Sequence, residues 1–257
     1  MENNRRFREN GINILGVFYD SLLRQEVIDR IEDFIHQGGK HMICTPNADH
    51  IVRVQTDVEF REIIQRSDLV VSDGMAVVYA SHLLGTPLKG NVGGRLLLPA
   101  LAKLSAENGY RLFLLGGSSE EIARLAVEHL QRDYPGVNIV GTYTPPFMND
   151  FSIIENDRMI TAVNLTKPDV LFVCLGTPKQ EKWIAHNLSN LQVHVAIGIG
   201  AAMDMIAGKV RQPPRWVSDI GFEWLYRLIQ EPRRLAKRYL VDDPIFFWWV
   251  LKQRLGL

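Results

Sequence analysis

Short apolar runs alternate with amphipathic helical patterns along most of the chain, and this alternation restricts the fold more than any other feature. The runs are rich in Val, Ile, Leu and Phe with few polar interruptions, which is typical of strands buried on both faces. Strands that alternate with helices at this spacing require right-handed crossovers and a largely parallel sheet. The sequence therefore predicts an α/β domain whose sheet is covered by helices on both sides.

The apolar runs predict strands at Ile12–Phe18, His41–Cys44, Asp68–Val71, Tyr110–Leu115, Val137–Val140, Asp169–Leu175 and His194–Ile199. The amphipathic segments predict helices at Leu22–His36, Glu59–Arg66, Ser119–Arg132, Phe151–Leu165 and Lys179–Leu188. In an open parallel sheet, ligands bind beyond the carboxyl ends of the strands. The residues that follow each predicted strand are therefore the candidate functional residues.

Composition excludes several classes of protein. A chain of 257 residues that is 46% hydrophobic and 23% charged can bury a large core, which argues against disorder and disulfide-stabilised miniproteins. Lys plus Arg and Asp plus Glu both total 29, so the bulk charge does not indicate nucleic acid as a partner. Cys44 and Cys174 lie in apolar runs, which predicts core thiols in a reducing compartment. With no apolar leader or spanning segment in the sequence, we expect a cytoplasmic protein.

Basic and aromatic residues are concentrated at the C-terminal end. Residues 209–257 carry ten Lys and Arg against five Asp and Glu, and four of the five tryptophans. Together with Pro213-Pro214, this shift predicts a domain at 1–208 and an appendage at 209–257. Three interpretations stand: a helix pair with solvated charges, an element that meets an anionic membrane surface, or a contact with another copy of the chain.

The segment LLGGSSEE (114–121) predicts a turn from a strand into a helix. Gly116 and Gly117 allow close backbone approach, and Ser118 or Ser119 can cap the helix. The turn suits a diphosphate or a ribose, although packing alone would also require such glycines. It matches neither a Walker loop nor a dinucleotide fingerprint, which disfavours a nicotinamide-dependent oxidoreductase.

Asp73 in SDGM (72–75) follows a predicted strand directly. It is either the N-cap of the next helix or a general base that removes a proton from a sugar hydroxyl. No second carboxylate is obviously paired with it in the sequence, which disfavours a glycosidase and suits an inverting transferase.

The segment LGTPKQEKW (175–183) places Lys179 and Gln180 near a predicted helix N-terminus. These side chains could hold an anionic or hydroxylated ligand, or they could belong to a solvated helix start that Glu181 favours. No metal-ligand spacing of His, Cys or Asp is visible in the sequence, so we expect chemistry without a metal cofactor.

A collinear set of motifs resembles the WecG/TagA/CpsF family of bacterial surface-polysaccharide and teichoic-acid glycosyltransferases. The set includes TPNADHI (45–51), LVVSDGMAVVYASHLLGTPL (69–88), PDVLFVCLGTPKQEKWI (168–184), AIGIGAAMDMIAGKVRQPPRW (196–216) and GFEWLYRLIQEPRR (221–234). The resemblance implies a Rossmann-like domain with a C-terminal appendage. It also implies metal-independent, inverting transfer of N-acetylmannosamine, its uronate or glucose from a UDP-sugar to a polyprenyl-diphosphate-linked sugar.

The resemblance also implies residue roles. Asp73 matches the proposed base, and Thr45, Asn47 and Gln180 match residues near the sugars. Gly116 and Gly117 would approach the donor, and Asp204 would lie beside the nucleotide. Arg227, Arg233 and Arg234 match arginines that meet the diphosphate of the donor or of the lipid acceptor, and Lys179 remains a predicted substrate-binding residue from its place at the helix start. The basic appendage then becomes a docking element for the inner face of the bacterial cytoplasmic membrane.

One segment departs from the family pattern. The family usually reads ERVxGxD where this chain reads GNVGGRL (90–96), so that Asn91 replaces an Arg and Leu96 replaces an Asp. Arg95 could supply a displaced positive charge. The departure leaves the donor and acceptor sugars open, and it keeps one alternative function: a non-catalytic scaffold or regulator that binds a UDP-sugar.

Overall fold

A six-stranded parallel sheet forms the centre of the computed structural model, which describes residues 11–146, 151–209, 223–230, 232 and 243–257. Its strands are β3 (His41–Cys44), β4 (Leu69–Val70), β5 (Arg111–Gly116), β6 (Asn138–Tyr143), β7 (Val170–Cys174) and β8 (Val195–Gly198). They lie in the order β4-β3-β8-β7-β5-β6, and all neighbouring pairs are parallel. The predicted Rossmann-like α/β fold is confirmed.

Helices cover both faces of this sheet. In chain order, the described helices are α1 (Arg24–Gln37), α2 (Ala48–Arg53), α3 (Val58–Arg66), α4 (Met75–Leu83), α5 (Gly94–Asn108), α6 (Glu120–Asp133), α7 (Ile153–Thr166), α8 (Lys179–Asn187), α9 (Ala202–Ile206), α10 (Glu223–Gln230) and α11 (Asp243–Leu255), with a 3₁₀ turn at Leu188–Asn190. Side chains cap several of their N-termini, as Ser119 does for α6 by accepting a hydrogen bond from the Ile122 amide.

Two hydrophobic clusters lie on opposite faces of the sheet. Within β7, Leu171 and Val173 contribute to one cluster, whereas Val170 and Phe172 contribute to the other. All four side chains are buried, because helices cover both faces. This burial explains why the strand sequences lack the polar alternation of a half-exposed sheet. The predicted core thiols of Cys44 and Cys174 are confirmed as buried.

The single strand predicted at Ile12–Phe18 is wrong. The segment forms an antiparallel hairpin of β1 (Ile12–Ile14) and β2 (Val17–Tyr19), separate from the main sheet. Leu15 and Gly16 make the turn with φ of 51° and 84°, and the Asn13 side chain accepts a hydrogen bond from the Gly16 amide. A two-residue loop with positive φ at both positions matches the twist of a hairpin. Because leucine is uncommon at positive φ, Leu15 does not indicate a turn in the sequence.

Sequence periodicity does not indicate helices α4 and α5. Helix α4 reads MAVVYASHL and has apolar residues around most of its circumference, so it lacks an amphipathic pattern. Helix α5 contains Pro99 and begins with glycine, both of which disfavour helix in isolation. Tertiary packing against the sheet overrides these local preferences, since Leu97, Leu98 and Leu101 are all buried.

The C-terminal helix α11 packs into the same hydrophobic cluster as the hairpin. Its Phe246 and Val250 are fully buried there. The Gln253 side chain accepts a hydrogen bond from the Leu15 amide and donates one to the Asn13 carbonyl, at 2.8 and 2.9 Å. The division of the chain at 208/209 stays a prediction. In the described part of the chain, no helix is long and apolar enough to cross a membrane.

We expect Phe246→Ala to reduce the free energy of unfolding by about 3–5 kcal/mol, because it empties a fully buried aromatic site. The matched control is Trp248→Ala on the same helix, where the side chain is 56% exposed. That change should alter the free energy of unfolding by less than about 0.5 kcal/mol. Urea denaturation measures both values, and similar losses in the two variants would contradict the packing of α11.

Candidate active site

The carboxyl ends of β3, β8, β7 and β5 meet at one edge of the sheet. The segments that leave this edge are 45–47 after β3, 199–201 after β8, 175–178 after β7 and 117–119 after β5. We call this edge the rim. The segment after β4, which carries Asp73, joins it because the Asp73 amide donates a hydrogen bond to the Pro46 carbonyl at 3.1 Å.

Asp73 is half-buried at the rim and does not cap a helix. The N-cap of α4 is Gly74, whose φ of 88° is in the region that favours glycine. The interpretation of Asp73 as a helix N-cap is therefore wrong. Its carboxylate remains available for chemistry, which agrees with the alternative interpretation as a general base.

Gly93 and Gly94 bring the N-terminus of α5 against Asp73. A Cβ atom on Gly93 would overlap the Asp73 carboxylate, and one on Gly94 would lie 2.6 Å from the Ile199 Cα. The close approach is possible only because both residues lack side chains. The N-terminus of α5, which is the positive end of the helix dipole, consequently lies beside the carboxylate.

Asn91 supports the same arrangement. Its side-chain oxygen accepts hydrogen bonds from the Gly74 amide at 3.0 Å and from the Gly93 amide at 3.2 Å. Asn91 therefore ties the start of α4 to the start of α5 on either side of Asp73. Arg95 is half-buried in the first turn of α5, next to Gly94. The departure at 90–96 thus has a structural purpose in holding the Asp73 loop.

Tyr19 of β2 lies beneath the rim, and sequence reasoning missed it. Its hydroxyl donates a hydrogen bond to the Pro46 carbonyl at 3.2 Å. Complete burial raises the pKa of Tyr19 well above its usual value, and the nearby Asp73 carboxylate adds to the rise. Tyr19 is therefore a neutral hydrogen-bond donor that fixes the backbone next to Asn47. Prediction of the β1–β2 hairpin would have been needed to place Tyr19 beneath the rim.

Thr45 and Gln180 join the loops after β3, β7 and β8. The Thr45 hydroxyl donates to the Gly198 carbonyl at 3.1 Å, and the Gln180 side-chain oxygen accepts from the Gly200 amide at 3.0 Å. Both side chains are buried. The structure therefore brings these two predicted residues together through the residues that end β8.

Asn47 leads to two further buried side chains, His50 and Glu181. The Asn47 side-chain oxygen caps α2 and lies 2.9 Å from His50 Nδ1. On the other side of the ring, His50 Nε2 lies 3.3 Å from Glu181 Oε1. Sequence reasoning considered Glu181 only as an acidic residue at a solvated helix start, and that interpretation is wrong because the side chain is buried. His50 lies in the motif TPNADHI (45–51), but no role was predicted for it.

Gly116 and Gly117 make the turn between β5 and α6. Gly116 lies against Cys174 at the end of β7, and Gly117 lies against Met203 of α9. The φ values of the two glycines are 104° and 90°, and a Cβ on Gly117 would lie 2.7 Å from the Met203 sulfur. Beside them, the Asp204 carboxylate accepts a hydrogen bond from the Ser118 hydroxyl. Lys209 Nζ lies 3.4 Å from that carboxylate. The predicted donor-binding residues Gly116, Gly117 and Asp204 therefore form one cluster.

A cavity of about 380 Å³ opens beside this cluster at the carboxyl end of β6. It is lined by Glu120, Thr142, Tyr143, Thr144, Glu155 and Arg158, together with Ala123 and Pro146. The Thr144 hydroxyl donates to the Gly116 carbonyl at 2.9 Å, which connects the cavity to the glycine turn. Its volume is within the range of small-ligand sites.

The structure describes only some of the remaining predicted site residues. Lys179 is the first residue of α8, and its ammonium lies 5.8 Å from the centroid of the Phe151 ring. Arg227 belongs to α10, but its side chain lies outside what the structure describes. Arg233 and Arg234 both lie outside the described residues. Within the described ranges, no group of three His, Cys, Asp or Glu side chains is arranged to hold a metal ion.

A family model and individual known proteins both match this chain over nearly its full length. Residues 12–257 match the model of the glycosyl transferase WecG/TagA/CpsF family. The chain is 28% identical over 245 residues to the N-acetylglucosaminyldiphosphoundecaprenol N-acetyl-beta-D-mannosaminyltransferases of Staphylococcus aureus strains MW2 and MRSA252. Each alignment covers 95% of this chain and 93% of the relative.

The two glycines at the start of α5 should respond differently to substitution. Gly94→Ala places a methyl group against the Ile199 backbone and should reduce the free energy of unfolding by about 1–3 kcal/mol. The three atoms nearest to a Cβ on Gly93 all belong to the Asp73 side chain, which Gly93→Ala would push out of its present position, so we expect a smaller loss of stability. Thermal unfolding measures both variants. A larger loss for Gly93→Ala would contradict the geometry.

Proposed function

Because the chain belongs to the WecG/TagA/CpsF family of glycosyltransferases, we propose that it transfers a sugar from a UDP-sugar to a sugar linked to polyprenyl diphosphate. The names of the Staphylococcus relatives support this acceptor, since they specify N-acetylglucosaminyldiphosphoundecaprenol. The observation that carries the proposal is the Asp73 carboxylate, which is held at the rim between Pro46 and the N-terminus of α5.

Asp73 acts as the general base in the proposed reaction. It accepts the proton of the acceptor hydroxyl while the hydroxyl oxygen forms a bond with the anomeric carbon of the donor. The bond from that carbon to the diphosphate oxygen breaks, and UDP leaves with the electron pair. Attack opposite the leaving group inverts the anomeric centre. The N-terminus of α5 lies against the Asp73 side chain and holds it at the rim.

The donor binds across the turn after β5. The Gly116–Gly117 turn and the N-terminus of α6 offer backbone amides to a diphosphate. Asp204, fixed by Ser118, accepts hydrogen bonds from the ribose hydroxyls, and the cavity at the end of β6 takes the base. Charge on the leaving UDP is stabilised without a metal by Lys179, Arg95 and the arginines of the appendage (Arg227, Arg233 and Arg234).

The transferase is favoured over the non-catalytic alternative by the contacts of Asn91. Its amide oxygen is used to fix Gly74 and Gly93 on both sides of Asp73, so the departure at 90–96 preserves the position of the base. The names of the relatives make N-acetylmannosamine the first donor to test. Its uronate and glucose are the alternative donors.

Asp73→Asn should reduce turnover by about 10²–10⁴-fold, because the amide cannot accept the proton. UDP release is measured with UDP-N-acetylmannosamine, its uronate and UDP-glucose, with and without a short-chain polyprenyl-diphospho-N-acetylglucosamine in detergent. Asp133→Asn, an exposed position paired with Arg132, is the matched control and should keep full activity. The reaction should proceed unchanged in EDTA.

Near-normal turnover of Asp73→Asn would remove Asp73 from the role of base. Loss of turnover together with loss of UDP binding would instead indicate a damaged donor site, so calorimetric titration with UDP accompanies the assay. If the wild-type protein binds UDP but releases none from any donor, the scaffold alternative replaces the transferase.

We also propose that α11 docks on the anionic inner face of the cytoplasmic membrane, where a polyprenyl-linked acceptor is embedded. Its exposed side includes Phe247, Trp248 and Leu251, and Lys252 Nζ lies 5.5 Å from the Trp248 ring centroid. Aromatic side chains beside basic groups are typical of elements that bind the membrane interface. Deleting α11 would uncover the core around Phe246, so the test requires point variants.

The double variant Phe247→Ser/Trp248→Ser should bind liposomes that contain anionic lipid at least about tenfold more weakly than wild type, since it loses two interfacial aromatic groups. Ile154→Ser is the control. This exposed apolar residue lies on α7, which packs beside β6, the outermost strand on the side of the sheet away from β4. Cosedimentation measures binding. Equal binding of the double variant would contradict docking, and a change in its oligomeric state would indicate a contact between copies of the chain.

A further inference from the structure

His50 and Glu181 form a buried pair beneath the rim that the proposed chemistry does not use directly. His50 is 5% exposed and Glu181 is 1% exposed. The imidazole Nε2 lies 3.3 Å from Glu181 Oε1. The two residues are 131 positions apart in the sequence, on α2 and α8, and meet below the carboxyl ends of β3 and β7.

Each member of the pair contacts a residue that the family resemblance places near the sugars, Gln180 or Asn47. Gln180 Nε2 donates a hydrogen bond to Glu181 Oε1 at 2.6 Å. On the other side, His50 Nδ1 lies 2.9 Å from Asn47 Oδ1 and 3.4 Å from the Asn47 amide nitrogen. A continuous chain of polar contacts therefore runs from Gln180 through Glu181 and His50 to Asn47.

Stability alone does not explain a carboxylate at this position. Burial of a charged group is costly unless hydrogen bonds compensate for lost hydration. Glu181 Oε2 finds no hydrogen-bond partner among the described residues, so the compensation is incomplete. Apolar replacement of a buried ion pair is often neutral or even stabilising. A pair retained at such a cost calls for a role beyond stability.

The contacts of the pair fix the orientation of two side-chain amides. Asn47 Oδ1 faces inward because it accepts the His50 backbone amide and contacts the His50 ring. Its NH₂ group is then the end that remains for a ligand at the rim. Gln180 is fixed in the same way, with its oxygen toward the Gly200 amide and its nitrogen toward Glu181. If either side-chain amide were rotated by 180°, its oxygen and its NH₂ group would exchange places. A hydrogen-bond acceptor would then lie where a donor lies now.

We propose that His50 and Glu181 are positioning residues for sugar transfer, which hold the Asn47 and Gln180 amides in the orientation that binds the reacting sugars. This inference rests on the proposed function. The pair acts through the two amides and has no contact of its own with substrate, so it should influence the aligned transition state more than initial binding.

Glu181→Gln keeps the size of the side chain and replaces the carboxyl group by an amide. We expect kcat for UDP-N-acetylmannosamine and the polyprenyl-diphospho-sugar acceptor to fall by about 10–100-fold, as for comparable supporting partners of an active site. Both KM values should stay within about threefold of wild type, because uniform binding is retained. His50→Gln is the second variant and should show the same separation of kcat from KM. Circular dichroism confirms that each variant is folded.

The matched control is Asn187→Ala at the far end of α8. Asn187 is buried, and its side chain donates to the Trp183 carbonyl at 2.9 Å and accepts from Asn156 at 3.1 Å. Loss of these bonds should lower the unfolding temperature while kcat and KM stay at wild-type values. If Glu181→Gln lowers kcat no more than Asn187→Ala, or if both substrates' KM values rise while kcat is unchanged, the positioning role is overturned.

Nuclear magnetic resonance separates this inference from the proposed function. The ¹⁵N–¹H side-chain signals of Asn47 and Gln180, assigned by Asn47→Ala and Gln180→Ala, should shift and broaden in Glu181→Gln and remain unchanged in Asn187→Ala. Unchanged amide signals in folded Glu181→Gln would overturn the positioning role whether or not the chain is active. Shifted signals in a wild-type background that releases no UDP from any donor would contradict only the proposed reaction.

Discussion

The close approach of the α5 N-terminus to Asp73 is the contact on which the rest of the site depends. It requires glycine at both 93 and 94, since a side chain at either position would overlap Asp73 or the backbone of Ile199. The same contact aligns the dipole of α5 with the carboxylate. Asn91 holds the two helix starts together around it. A segment that departs from the family pattern in sequence is therefore tightly constrained by packing.

Around this contact, polar groups at the rim are held in place by atoms of neighbouring strands. Thr45 and Gln180 bond to the residues that end β8, and Tyr19 bonds to the backbone that leads to Asn47. These partners are main-chain atoms of β8 and of the segments that directly follow β3 and β8, so the side chains have little freedom to reorient. Such preorganisation suits a reaction in which an acceptor hydroxyl, an anomeric carbon and a leaving diphosphate must align.

The described structure also separates the parts of the proposed reaction in space. Asp73, Asn47 and Gln180 surround the ends of β3, β8 and β7, whereas Gly116, Gly117 and Asp204 lie toward β5 and the polar cavity beside β6. A nucleotide on the β5 side would direct its sugar toward Asp73. Helix α11 packs on α2 and α4, the helices next to Asn47 and Asp73. In the proposed docking, its exposed aromatic residues would bring a membrane-bound acceptor close to Asp73.

The sequence by itself determined the parallel α/β architecture, because apolar runs set the strands locally. It also predicted the rim as the functional edge, with Asp73 and Gln180 from the motifs that follow strands and Thr45, Asn47 and Asp204 from the family resemblance. Only the tertiary structure decided the hairpin that delivers Tyr19, the pairing of His50 with Glu181 and the burial of Phe246. Each of these depends on contacts between residues far apart in the chain, for which no local pattern exists. Packing of this kind overrides propensity, as it does for the glycine-initiated helix α5.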